Sequence, residues 1–463
     1  MVGIGVDFGT SNSAVALFDG ERVRLLRLEQ DQDIMPTATY IDRDFQAKVG
    51  QPAIDQYVRD NAGRRVELVA EVIGKTSWAV GDGNDATRDA PDTFEQAIYG
   101  QPVDIGLQGR LFRGVKRLLG DPNIRRLTVF NQLYRLVALI TPVLLHMRKR
   151  LQSEVSEGVD RPHVGHPVHY EGRDTQKNRV ALERLGEACG YAGFTHQRFY
   201  PEPVAATLSY LQSGGDGDTM LTIDFGGGTL DLCVLRRAGA GFKVLATHGV
   251  PIGGDHIDQR LFAELLFPML GKGERWKRKG FDREEIDTLF PFEDFEPMLL
   301  NWAVTYLLNQ NRYLTPVLDC VHQQGEPGMK FRRLRDIIQH NYGYLLFQSV
   351  RDAKVQLSFA EETLFDVPEL DVRVTLTRAR FEEMIADLLQ RVAEAVDRTV
   401  QLSGLARSDI DRVIRTGGSS LIPAVRAILE SRFAGRVVEH DPFTSVAAGL
   451  AIASYHDYRF EAS

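Results

Sequence analysis

Cysteine is scarce in this chain: Cys189, Cys233 and Cys320 are scattered, odd in number and form no Cys-x-x-Cys pair. That excludes a disulfide framework and a zinc motif, and it fits a reducing compartment. A basic excess is also missing, since 55 Lys and Arg face 63 Asp and Glu for a formal net charge of −8. Broad nucleic-acid binding is therefore not expected, which leaves room only for a local basic patch. Long apolar runs are absent too. The most apolar stretch, Leu136 to Leu145, is too short to span a bilayer and contains Pro142. No basic-then-apolar leader precedes the first apolar residues, so a cytoplasmic protein with no membrane partner is expected. Gly-x-x-x-x-Gly-Lys-Ser/Thr occurs nowhere, which argues against a P-loop enzyme. Gly3, Gly5 and Gly9 are spaced wrongly for a dinucleotide fingerprint, and a strand rather than a helix follows them.

What is present is a repeated turn. Met220 to Ile223 reads as a strand, Asp224-Phe225-Gly226-Gly227-Gly228-Thr229 as a glycine turn, and Leu230 to Leu235 as a second strand. Three glycines let backbone N–H groups approach an anion closely. Asp224 ends the first strand beside that cradle, and an acid next to a phosphate makes sense with a cation between them. Val2 to Phe18 repeats the layout: an apolar strand ends in Asp7-Phe8-Gly9, then Thr10, Ser11 and Asn12 lead into a second strand. Two copies so far apart predict two like lobes that face one ligand.

At 463 residues the chain is too long for one core. Further along, Val23 to Leu28 and Val164 to Tyr170 read as strands. Leu111 to Gly120, Asn131 to Glu157, Asp174 to Gly190 and Arg380 to Leu402 have helical spacing. The stretch from Met35 to about Arg125 is irregular, with a loop at Gly81 to Asp85. Gly253, Gly254 and Asp255 form a turn into a helix. Gly417, Gly418 and Ser419 form another after a strand, and Ser445 to Tyr455 is a final Ala-rich helix. His163, His166 and His169 invite a metal reading, but residues three apart on a strand point to opposite faces. Lys272 to Lys279 is a basic run around Trp276, read as a solvated turn or as a docking site for an acidic partner.

Val6 to Ser13, Ile223 to Thr229 and Gly417 to Pro423 together resemble the three signatures of DnaK-type heat-shock chaperones. Lys116 to Gly120, Glu202 to Ala206 and Leu376 to Glu383 resemble three more segments of that family, in the same order. The resemblance implies an α/β chain with the actin-like ATPase fold: two lobes, each a ribonuclease-H-like core with a smaller inserted subdomain. The first core would take residues 1–34, 125–214 and 443–463, with 35–124 as its outer subdomain. The second would take 215–250 and 368–442, with 251–367 as an enlarged outer subdomain.

The same resemblance implies the site: ATP or ADP with Mg²⁺. Asp7, Asp224, Asp231 and Glu202 would serve the metal shell, Asp231 also a monovalent cation such as K⁺. Lys116, Glu202, Asp224 and Thr229 would be catalytic. Gly9, Thr10, Ser11, Asn12, Gly226, Gly227, Gly228, Gly253, Gly254, Asp255, Lys354, Ser358, Gly417, Gly418 and Ser419 would bind the nucleotide. The base end departs from the family: Leu421 replaces an Arg, Arg351 a Glu and Phe443 an acid, while Lys354 and Ser358 remain. After Tyr455 only eight residues follow, so no peptide-binding domain is expected, and the chain resembles the YegD-like branch of chaperone relatives. Partners would be a nucleotide with client proteins or co-chaperones. The alternative is a nucleotide-gated scaffold with little hydrolysis. A filament former and a sugar kinase share the fold but not these signatures.

Overall fold

The computed structural model describes residues 2–80, 92–168, 175–238, 241–279 and 284–458. The chain divides into two compact units. The larger comprises Met1–Arg59, Gly109–Met269 and Tyr344–Ser463; the smaller comprises Asp60–Gln108 and Leu270–Gly343.

Two sheets of one topology build the larger unit. In the first, strands Gly3–Phe8 and Asn12–Phe18 form an antiparallel hairpin, and Val23–Leu25 extends it. On the other side of Gly3–Phe8 lie His163–His166 and then Arg198–Pro201, both parallel. In the second sheet Thr219–Phe225 pairs with Leu230–Ala238 and that strand with Gly241–Val250, all antiparallel. Arg412–Thr416 and Val437–Glu439 then add in parallel beyond Thr219–Phe225. A hairpin needs only a turn, whereas each parallel addition needs a crossover. Helices Leu136–Glu154 and Thr175–Ala192 serve the first sheet; Ala386–Ser403 and Pro423–Glu430 serve the second. The duplication expected from the two Asp-Phe-Gly turns is thus a duplication of whole sheets.

Helix Ser445–Tyr455 lies against the centre of the first sheet. A Cβ on Gly3 would sit 2.1 Å from the Ala451 carbonyl oxygen, and one on Gly5 2.2 Å from that of Ala447. Gly449 in turn meets helix Glu202–Gln212, where its Cβ would fall 1.7 Å from the Ala205 oxygen. At these three contacts only glycine fits, and the final helix, apolar all round, is buried from Ser445 to Ala453.

Several local readings are corrected. Leu111 to Gly120 is not one helix: Gly109–Arg113 is a strand and only Val115–Gly120 turns helically. The helix read from Asn131 begins at Leu136, because Gln132–Arg135 pairs with Arg126–Val129 as a hairpin. Gly190 lies inside its helix; the stop comes at Gly193, whose φ of 91° suits glycine alone. The span from Met35 is less irregular than its pattern, holding strand Ala38–Asp42, helix Gln51–Asn61 and the long pair Leu68–Val80 and Asp92–Asp104. Arg380 to Leu402 is two helices that break at Ile385. The strand read as Val164 to Tyr170 is His163–His166, and Pro167 and Val168 lie beyond its end; His169, Tyr170 and the loop at Gly81 to Asp85 lie outside the described residues.

In the smaller unit, helices Asn311–Val321 and Glu326–His340 accompany the hairpin Arg275–Lys279 with Glu285–Leu289. Phe290, Phe295 and Phe331 pack together there with centroids 4.8–5.3 Å apart. Its two chain segments are joined by Val66 N–H to Asn309 O at 3.1 Å and Asn309 Nδ2 to Arg64 O at 2.9 Å. Lys272 and Gly273 of the basic run are in a turn, and Arg275–Lys279 is a strand. Arg275 pairs with Asp287 at 2.9 Å and Lys277 with Glu285 at 3.6 Å across the hairpin, and Lys272 with Glu296 at 2.6 Å.

Candidate functional site

Both glycine hairpins open onto one cleft of about 380 Å³ within the larger unit. A Cβ on Gly227 would lie 2.5 Å from Ser11 Oγ, and one on Gly228 3.0 Å from Thr10 Cγ2 and 2.7 Å from an Arg117 nitrogen. The two turns therefore face each other at contact distance, and glycine is required at this meeting point. The second turn is held from beneath. Its Gly226 and Gly227 carbonyls accept from Gly254 N–H at 3.0 Å and Asp255 N–H at 2.8 Å, and Ser419 Oγ donates to Gly226 O at 3.1 Å. Gly226 N–H closes the turn on Thr229 O at 3.1 Å. Of the three glycine amides, those of Gly227 and Gly228 are the ones not spent in closing the turn.

At the floor stands a buried ion pair. Lys116 Nζ donates to Glu202 Oε1 at 2.7 Å, with Lys116 3% and Glu202 8% exposed. A lysine inside a protein requires such a partner. Asp7 and Asp224, at the ends of the two first strands, line the same floor. Burial pushes Asp7 up to about 7, with Glu202 adding repulsion and Lys116 opposing it. Burial also raises Asp224 well above the carboxylate range, reinforced by Glu202, Asp231 and Asp7. Asp231 sits directly across the hairpin from Asp224, and burial with Glu202 lifts it to about 7. Like charges placed opposite on a sheet repel. Thr229 Oγ1 donates to Asp231 Oδ2 at 2.7 Å, while Asp231 Oδ1 has no hydrogen-bond partner among the described residues. One ammonium cannot balance these carboxylates, so the floor fits a cation. No three His, Cys, Asp or Glu side chains among the described residues converge as direct ligands. The donor set therefore suits an ion that keeps its waters, as Mg²⁺ does.

Of the residues expected at the site, all line this cleft except Gly253 and Asp231. Asp231 is enclosed behind Thr229. Gly253 packs under the second turn, its Cβ position 2.3 Å from Gly227 O. Ser358 Oγ is turned back onto Lys354 O at 3.1 Å. The wall beyond the turns is apolar, formed by Leu421, Phe443, Val355 and Phe359, the last three half or more exposed.

The chain belongs to the Hsp70 protein family. Residues 115–272 and 339–455 match that family, together more than half of the sequence, and they carry Lys116, Glu202, the second hairpin and the Gly417 turn. This Hsp70-like chain is thus a nucleotide-binding module of the actin-like ATPase fold, and its two matched sheets are the cores of the two lobes. The first hairpin lies outside the matched segments, yet it meets the second face to face.

Sequence reading missed Asp258, Arg113, Arg117 and Thr416 as cleft residues. Asp258 follows Asp255 by three on helix Gly254–Leu266, so one helical face carries both. Its carboxylate holds Lys354 Nζ at 2.6 Å. Arg117 binds Asp255 Oδ2 at 2.9 Å, which also accepts from Ser11 Oγ at 3.4 Å. His163 and His166 gather no metal set; burial lowers both below the usual histidine range. His169 is outside the described residues.

Proposed function

We propose that this Hsp70-family chain is a Mg²⁺-dependent ATPase module of chaperone type, related to the YegD-like branch and working on client proteins or with co-chaperones in the cytoplasm. The observation that carries this reading is the pairing of two facing glycine turns with a buried carboxylate floor and one lysine. Asp7 and Asp224 would hold the waters of Mg²⁺, with Glu202 and Asp231 behind them; the ion would offset phosphate charge. Lys116 Nζ, fixed by Glu202, would place positive charge where the γ-phosphate gains negative charge. Thr229, its hydroxyl proton engaged by Asp231, would present its oxygen to the attacking water. Thr10, Ser11, Gly227 and Gly228 would cradle phosphates, and Leu421 and Phe443 would cover the base.

Titration with ATP and ADP, with and without Mg²⁺, followed by phosphate release on the same sample, tests the reading. Tight binding that needs Mg²⁺, with turnover lost in Asp224→Asn and Lys116→Ala, is expected. Normal turnover in both variants would overturn it. A second reading, nucleotide-gated binding without hydrolysis, is favoured by the apolar base wall. It predicts nucleotide binding with no phosphate release in a single turnover.

A further inference from the structure

We propose that the free edge of strand Ala47–Val49 is a docking site for an extended segment of a partner protein, which adds to it as a further strand and carries a carboxylate to Lys149. The groove concerned shares no residue with the nucleotide cleft. Strand Ala47–Val49 is the outermost of three in the sheet that runs through Ala38–Asp42 to Gly109–Arg113. Its register sets Thr39 against Val49, Tyr40 against Lys48 and Ile41 against Ala47, with no bulge. Asp42 N–H donates to Gln46 O at 3.1 Å, and Gly50 N–H to Ala38 O at 3.1 Å. Hydrogen-bonded and non-bonded pairs alternate in an antiparallel ladder. Gln46, Lys48 and Gly50 are therefore the bonded positions, and the N–H and C=O groups of Ala47 and Val49 point outward, off the edge. Such groups are a template for another chain. An edge of 3 residues suits a short linear segment.

What lies beneath the edge selects what the segment carries. Ala47 and Val49 line one side of a groove of about 460 Å³, and helix Leu136–Glu154 lines the other with Ala138, Pro142, Leu145 and Lys149. These recur at steps of three and four, so they form one row on the helix. Pro142 has no N–H to give Ala138 O, so that carbonyl lacks its usual helical donor. The row is apolar until Lys149, and alternate side chains of an added strand would point into it. The titratable side chains lining the groove are His146, Lys149 and Tyr191, with no carboxylate among them. Glu29, which acts on His146, accepts Gln51 N–H at 2.6 Å. His146 Nε2 is held on Leu28 O at 2.8 Å, whereas Lys149 is exposed. Lys48 faces the other side of the strand, where it donates to Gln56 Oε1 at 2.6 Å. The groove thus matches apolar side chains along the helix row and one acid at its lysine end.

Capped peptides of alternating Val and Thr, with either Glu or Lys at both ends, would be titrated against the whole chain at low salt by fluorescence anisotropy. The Glu peptide is expected to bind about fivefold tighter than the Lys peptide, and Lys149→Glu should reverse that order. Val49→Pro removes an outward donor, which an edge strand tolerates, and should weaken the Glu peptide about fivefold. Thermal melts check that both variants fold; Lys149 is exposed, so its variant decides the question even where Val49→Pro unfolds. Hydrogen exchange of the segment holding Ala47 and Val49 should slow on binding. No binding of either peptide, equal binding of the two, or slowed exchange only elsewhere overturns the proposal. A dimer of the free chain that Val49→Pro dissolves would give the edge to a second copy and overturn it too.

Discussion

Lys116 is the residue on which the floor balances. Removing it leaves Asp7, Asp224, Asp231 and Glu202 buried with no cation, whereas removing the charge of Glu202 relieves repulsion on the other three. Lys116→Ala should therefore cost about 3–5 kcal/mol in urea unfolding without metal, clearly more than Glu202→Gln. Equal losses would count against this account. His163 offers a pH test away from the floor. Its Nε2 lies 3.1 Å from the Tyr458 carbonyl oxygen, and burial lowers its pKa below 6.5. The unfolded chain then takes up the proton first as pH falls, so this contribution is present above pH 6.5 and lost below it. Asp7 and Asp231, held near 7, strengthen the fold as pH falls, so the test is a difference: between pH 7 and 5 the urea midpoint of the unmodified protein should drop relative to that of His163→Phe.

At the scale of elements, glycine placement decides what the helices can do. Gly449→Ala would press a methyl into the Ala205 carbonyl and should destabilise by about 3 kcal/mol or more. Gly190 has nothing within 4 Å of its Cβ position and lies in the last turn of its helix, so Gly190→Ala should stabilise by about 0.5 kcal/mol. Thermal melts of the two variants should shift in opposite directions. Two of the element errors share one cause. Periodicity marks apolar faces, but Gln132–Arg135 and Gly109–Arg113 are strands because Arg126–Val129 and Ala38–Asp42 pair with them. The first pairing is a tight hairpin and the second joins distant chain, and in both the partner strand overrides local spacing.

At the scale of the molecule, a ligand that bridges the two hairpins binds only the folded state. Mg²⁺ with nucleotide should raise the melting temperature, by the equivalent of about 2.7 kcal/mol at one hundred times Kd. Asp224→Asn should abolish the Mg²⁺-dependent part of that rise; an undiminished rise would remove Asp224 from the metal shell. The sequence by itself determined the duplicated Asp-Phe-Gly turns, the glycines where backbones touch and the ordered motifs of the family. These are local needs of the backbone, written where they act. Only the tertiary structure decided that Lys116 is buried against Glu202, that Asp231 stands opposite Asp224, and that Arg113 and Arg351 share one cleft. Lys116 and Glu202, like Arg113 and Arg351, lie far apart along the chain, and even Asp224 and Asp231, near in sequence, are set opposite by the register of their hairpin.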